Sequence, residues 1–233
     1  MNQTLPISEV FTSLQGEGRL TGTRSRFIRV SGCNLRCGWC DTPYASWNPE
    51  GAPRRVDDLV AETLLAGVAH VVLTGGEPML FEAIEPLARG LVEAGRHVTI
   101  ETAGTVSREV ACSLMSLSPK LANSTPRGDA RDPSGAWALR HEARRLDVGV
   151  LQRLLDAHPS RQMKFVVAHE QDLGEIEALL ARLRGLESQD VMLMPEGVGP
   201  APGREWIPAA CESRGWTYCP RRHIEWFGNV RGT

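Results

Sequence analysis

The sequence predicts an α/β fold built on parallel strands, and three observations carry that expectation. Short apolar runs such as Val71-Val72-Leu73 and Val191-Met192-Leu193-Met194 alternate along the chain with segments whose apolar residues recur at helical spacing. Strands that alternate with helices pair in parallel through right-handed crossovers, which gives an open sheet or a barrel. The unusual polar and glycine-rich runs follow directly after predicted strands, the edge at which barrels of this type carry their chemistry.

Taken in order, Ile7-Ser8-Glu9-Val10-Phe11 reads as a short strand that enters a glycine-rich turn at Gly16, Glu17 and Gly18. Arg26-Phe27-Ile28-Arg29-Val30 alternates as a strand does, which puts Phe27, Arg29 and Ser31 on one face. Val56, Leu59, Val60 and Leu64 mark a helix before the strand at 71–73 and its turn Thr74-Gly75-Gly76. The alternation continues with a helix near 81–94, strand His97–Ile100, a helix near 107–112 and strand Leu114–Leu117. After a turn-rich stretch and a helix near 147–157 come strand Met163–Val167, a helix using Leu173, Ile176, Leu180 and Leu183, and strand Val191–Met194. Counted from Arg26–Val30, these are six strands. Residues 121–160 read as an excursion whose role is not legible; within it Arg140, Arg144 and Arg145, interleaved with Glu142 and Asp147, read as a solvated helix face.

With 233 residues and 42% apolar content, one domain spanning 1–233 can bury a sizeable core. A net charge of −2, from 26 basic and 28 acidic residues, makes no field that would draw nucleic acid. Met1–Pro6 lacks the basic and apolar regions of a signal peptide, and no run approaches the roughly 18 apolar residues of a membrane span. The expectation is a cytoplasmic protein, in a compartment that keeps thiols reduced.

Cys33, Cys37 and Cys40 put three thiols within eight residues, and the loop continues at once into Asp41-Thr42. A [4Fe-4S] cluster takes four cysteines, so a loop that supplies three leaves one iron open to a ligand. Two other readings of the same residues are a zinc site completed from elsewhere and a disulfide with a spare thiol. Cys112, Cys211 and Cys219 stand alone and read as packing residues.

The CxxxCxxC spacing resembles that of the radical S-adenosylmethionine (SAM) superfamily. The runs around it narrow the likeness: Leu14-Gln15-Gly16-Glu17-Gly18, Cys40-Asp41-Thr42-Pro43-Tyr44, Thr74-Gly75-Gly76-Glu77-Pro78, Glu101-Thr102-Ala103-Gly104, Ser118-Pro119-Lys120 and the tail His223–Thr233. Together, and in this order, they resemble the 7-carboxy-7-deazaguanine synthase family. That resemblance implies a partial (β/α)6 barrel, open on one side. It implies that SAM chelates the open iron and is cleaved to a 5′-deoxyadenosyl radical, so the radical arises on SAM and no side chain is catalytic in itself. Gly75, Gly76, Glu77, Ser118, Pro119 and Lys120 would contact SAM, with Trp39 packed beside the cluster or the adenine, or simply in the core.

For the substrate, the resemblance implies 6-carboxy-5,6,7,8-tetrahydropterin, converted by ring contraction and loss of ammonia on a route to deazapurines such as queuosine. Arg29 would meet its carboxylate, Thr42 would help hold Mg²⁺, and Leu14, Gln15, Gly16, Glu17 and Thr74 would touch the pterin. His223 and the terminal Thr233 would close the same pocket, held there by apolar burial of Ile224, Trp226 and Phe227. A homodimer and a reducing partner such as flavodoxin belong to the same implication. Two readings from other classes use the same cysteines: an activase of a glycyl-radical enzyme, which acts on a protein, and a non-catalytic zinc module.

Overall fold

The computed structural model describes residues 3–197 and 203–233. Nine strands form one sheet: β1 (Thr4–Leu14), β2 (Arg24–Val30), β3 (Ala52–Arg55), β4 (His70–Gly75), β5 (His97–Thr102), β6 (Leu114–Leu117), β7 (Arg161–Val167), β8 (Val191–Pro195) and β9 (Thr217–Tyr218). Their spatial order is β3-β1-β2-β4-β5-β6-β7-β8-β9. The run β2-β4-β5-β6-β7-β8 is parallel throughout and holds the six strands expected from the sequence, while β1 pairs antiparallel with both β2 and β3. The sheet does not close, so the architecture is the open, partial barrel that the sequence led us to expect.

Seven helices accompany it: α1 (Val56–Leu65), α2 (Ile84–Glu93), α3 (Ala136–Arg144), α4 (Val148–Ala157), α5 (Asp172–Leu180), α6 (Trp206–Arg214) and α7 (Arg222–Phe227). Alternation along each strand assigns the two faces of the sheet. Leu73, Ile100, Leu117, Phe165 and Leu193 point to the helices and pack with Leu59, Leu87, Leu151, Ile176 and Ile207 in one buried cluster. The neighbouring positions Arg29, Thr74, Glu101 and Lys164 point the other way, and that face is polar enough to receive a ligand.

A bulge in β1 serves the same end. Ile7 pairs with Val30, but the register shifts before Glu9 pairs with Arg29. A single extra residue reverses the side-chain alternation. Leu5 and Ile7 therefore belong to the core, whereas Phe11, also odd-numbered, lines the cavity.

The helix expected near 107–112 is absent; the connection from β5 to β6 is irregular. Tertiary bonds hold the segment instead. Arg108 donates to the carbonyls of Met79 and Leu80 (2.6 and 3.2 Å), and the Ser113 hydroxyl accepts from the Val98 N–H (3.1 Å). In the excursion, Arg145 is not part of a solvated face: its guanidinium is largely buried and bonds Glu142, Glu175 and the Lys120 carbonyl. Among the described residues no helix is long and apolar enough to cross a membrane.

Candidate active site

The cysteine loop follows β2 and rests on the turn after β4. Gly32 donates its N–H to the Ala45 carbonyl (2.8 Å), and Glu77 donates to the Gly32 carbonyl (2.9 Å). A Cβ on Gly76 would collide with the carbonyls of Gly32 and Ala45, and one on Gly75 with the Val30 backbone. Gly75 also has φ +135°, a conformation that only glycine adopts without strain. The pair is thus required where backbone meets backbone, beside any part it plays towards a ligand.

Cys33, Cys37 and Cys40 open on one cavity of about 560 Å³, within the usual range for a ligand site. Burial pushes the Cys33 thiol up to about 12 and raises Cys37 as well, so neither ionises readily without a cation to replace the proton. All six cysteines are free. Among the described residues no three His, Cys, Asp or Glu side chains stand close enough to chelate one ion. Three free thiols on one cavity supply the donor type that an iron–sulfur cluster takes.

Around the cavity lie Trp39, Thr42, Thr74, Gly75, Gly76, Ser118 and Lys120, together with Leu14, Gln15, Gly16, Glu17, Arg29, His223 and Thr233. Lys120 donates to the Ser118 carbonyl and hydroxyl (2.7 and 2.8 Å), and its ammonium lies 5.9 Å from the centre of the Trp39 ring. Pro119 is not among the lining residues. Glu77 is not either. It is fully buried, and its carboxylate accepts from the N–H groups of Met79 and Ala103 (3.0 and 2.8 Å) and from the Thr102 hydroxyl (2.7 Å). Those bonds fix the turn that carries Gly75 and Gly76.

A connected ionic network forms the floor. Lys164 lies almost fully buried in the middle of β7 and donates to Glu17 (2.9 Å) and Glu101 (3.1 Å). Glu101 also accepts from Gln15 and from the Thr74 hydroxyl, each at 3.3 Å. Burial alone would raise Glu17, but Lys164, Arg221 and His223 hold its carboxyl at about 2. Lys164 is raised in turn: burial opposes its charge, and the carboxylates of Glu101 and Glu17 outweigh burial. Neither Lys164 nor Glu101 was singled out as a site residue from sequence, although a lone lysine inside an apolar strand is a signal, since lysine is almost never buried unpaired.

At the other end, Arg29 donates to Glu9 (2.5 Å), which also accepts from the Tyr44 hydroxyl (2.9 Å) and from Arg231 (3.3 Å). Arg231 stacks on the Tyr44 ring at 4.1 Å and donates to Glu50 (2.9 Å). The tail is therefore tied down by polar contacts. Trp226 and Phe227 are 42% and 38% exposed, which corrects the expectation that apolar burial anchors it. Further back, Arg222 donates its N–H to the Gly16 carbonyl (3.0 Å), and a Cβ on Gly16 would strike His223. The glycine is what lets the tail reach the loop.

Residues 27–123 match the profile of the radical SAM superfamily, which implies a [4Fe-4S] cluster and SAM as cofactors. The chain is 49% identical to a 7-carboxy-7-deazaguanine synthase of Rhodopirellula baltica, across 99% of this chain and 89% of that one. It is 47% identical to another of the same name from Halobacterium salinarum, across 94% and 89% of the two chains. Among solved structures, QueE from Escherichia coli superposes with a TM-score of 0.71 at 27% identity, covering 94% of this chain and 95% of that one. Streptococcus suis SuiB bound to its precursor peptide SuiA, at 13% identity and a TM-score of 0.56 over 82% of this chain and 47% of that one, shares the fold alone. A three-thiol cavity at the open end of a partial barrel and near-complete alignment to named relatives lead to one conclusion: this chain belongs to the 7-carboxy-7-deazaguanine synthase family of radical SAM enzymes.

Proposed function

We propose that the chain converts 6-carboxy-5,6,7,8-tetrahydropterin to 7-carboxy-7-deazaguanine with loss of ammonia, as a carbon–nitrogen lyase in deazapurine or queuosine biosynthesis. The observation that carries this reading is a single cavity lined by three thiols, the Gly75-Gly76 turn, Arg29, Gln15 and Glu17. Cys33, Cys37 and Cys40 would hold the cluster, and Gly75, Gly76, Ser118 and Lys120 would orient SAM. Cluster and SAM together supply the hydrogen-abstracting radical. The side chains bind, orient and exclude water.

Arg29 offers a planar, permanently charged fork for the pterin carboxylate. Thr42, whose hydroxyl lies 3.8 Å from the Cys40 sulfur, offers one oxygen to Mg²⁺ beside that carboxylate. Acceptors on Gln15, Glu17 and Glu101 suit the N–H groups of a pterin. A soluble reducing partner such as flavodoxin, a homodimeric assembly and a cytoplasmic setting complete the proposal.

The experiment is anaerobic reconstitution of wild type and of the Cys33→Ala, Cys37→Ala and Cys40→Ala variants, followed by iron analysis and reduction in the presence of SAM. The expected result is one [4Fe-4S] cluster and SAM cleavage in wild type, and neither in the three variants. Normal iron content and SAM cleavage in any of them would overturn the assignment.

A further inference from the structure

The excursion that the sequence left without a role holds the cysteine loop through one buried histidine. His141 lies on α3 with no exposed surface. Its Nδ1 accepts the Arg36 backbone N–H at 3.1 Å, in the Leu35–Arg36 peptide one residue ahead of Cys37. On the other side of the ring Nε2 meets the Ser124 hydroxyl at 2.8 Å, and that hydroxyl donates to the Leu121 carbonyl at 2.6 Å. The chain of donors fixes the tautomer: Nδ1 is bare, and Nε2 carries the proton. The same segment holds the loop at further points. Gly38 donates its N–H to the Ser124 carbonyl (2.9 Å), and the Trp39 indole donates to Asn123 (3.3 Å).

We infer that His141 is a positioning residue for the cluster: by accepting the Arg36 N–H it fixes the Leu35–Arg36 peptide between Cys33 and Cys37, and the excursion is the support on which the cysteine loop is built. This rests on the reading that Cys33, Cys37 and Cys40 bind iron. The argument is one of supply. Arg36 is nearly buried, and its guanidinium, which donates to the carbonyls of Cys33 and Leu35 (2.8 Å each) and packs on the Trp137 ring at 4.1 Å, has no acceptor to offer its own backbone N–H. The His141 ring nitrogen is the partner this N–H has. Without it a buried donor is left unmet, and the loop must move to satisfy it. Groups behind metal ligands commonly change metal retention by roughly 10- to 100-fold.

Asparagine and glutamine separate this role from simple packing, because an asparagine oxygen can occupy the place of Nδ1 whereas a glutamine amide reaches only the place of Nε2. His141→Asn, His141→Gln and Ser124→Ala are reconstituted anaerobically. The measurements are the rate of iron loss to a chelator, the electron paramagnetic resonance spectrum of the reduced cluster, and the melting temperature of the cluster-free protein. His141→Gln is expected to lose iron roughly 10- to 100-fold faster, with altered g values. His141→Asn and Ser124→Ala, which keep an acceptor for Arg36, should stay within a few-fold of wild type. Equal rates and spectra in the two His141 variants overturn the inference, as does iron loss that merely follows melting temperature. So does a His141→Gln protein that fails to fold while His141→Asn folds, since the acceptor is then a folding requirement. Wild-type protein that forms no [4Fe-4S] cluster would instead remove the reading of the cysteines themselves.

Discussion

Glu9 and Arg29 stand opposite each other on β1 and β2, and the Arg29 guanidinium donates to the Glu9 carboxylate at 2.5 Å. The pairing holds the fork of Arg29 at the cavity wall and leaves its remaining N–H groups for a ligand. Because Glu9 also accepts from Tyr44 and Arg231, one carboxylate ties together Arg29, Tyr44 and the tail at this end of the cavity.

Arg29→Ala is expected to weaken pterin binding about 10- to 150-fold, the loss of a charge-assisted hydrogen bond of roughly 1.5–3 kcal/mol. SAM binding should change less than about twofold. Calorimetric titration with each ligand checks this. An equal loss of both ligands would make Arg29 a structural partner of Glu9 only.

Thr42 lines the cavity at the start of a short helical turn. If its hydroxyl is a Mg²⁺ ligand, chelating Mg²⁺ lowers wild-type turnover, and Thr42→Val requires a higher Mg²⁺ concentration to reach its plateau. A Mg²⁺ titration of initial rates decides the matter; superposable curves for the two proteins would remove the metal from Thr42.

Lys164→Met leaves Glu17 and Glu101 buried without their shared cation, a change expected to cost about 3–5 kcal/mol at neutral pH. The sign of its pH dependence follows from Glu17, which sits at about 2 against an ordinary 4.5. A carboxyl lowered on folding stabilises fully above its unfolded value, and that stabilisation is lost as pH falls towards the folded one. The stability gap between wild type and variant, read from denaturant unfolding of cluster-free protein, should therefore narrow between pH 4.5 and pH 2. A gap independent of pH would show that Lys164 does not act through Glu17.

Removing Arg231–Thr233 takes away the bonds to Glu9 and Glu50 and three of the residues that line the cavity. Pterin turnover is expected to fall at least tenfold while the cluster and SAM cleavage persist. The melting temperature should fall by only a few degrees, since the ion pairs of Arg231 lie at a half-exposed edge. Unchanged turnover, or general unfolding, would make the tail a cover and not part of the site.

The parallel strands and the cysteine loop were legible because each is written locally. Apolar runs of four or five residues, and thiols seven apart at most, need no knowledge of what lies elsewhere. Legibility fails where the partner is remote. Glu77 stands in a run that resembles a SAM contact, yet its acceptors are taken by Thr102 and Ala103, some 25 residues on. Lys164 acquires its meaning only from Glu101 and Glu17, 63 and 147 residues earlier. The helix expected at 107–112 fails for the same reason, because the carbonyls that Arg108 caps belong to a different turn.

The bonds that finish the cavity also set an order in time. Arg231 reaches Glu9 across 222 residues, and Gly18 donates its N–H to Cys219 across 201. The cysteine loop and its histidine support are complete once residue 145 has been made, whereas the part of the cavity wall that the tail forms waits for residues 219–233. At about 5–20 residues per second, ribosomal synthesis separates the two events by several seconds or more. A nascent chain would thus own a cradle for iron before it owns a place for its substrate.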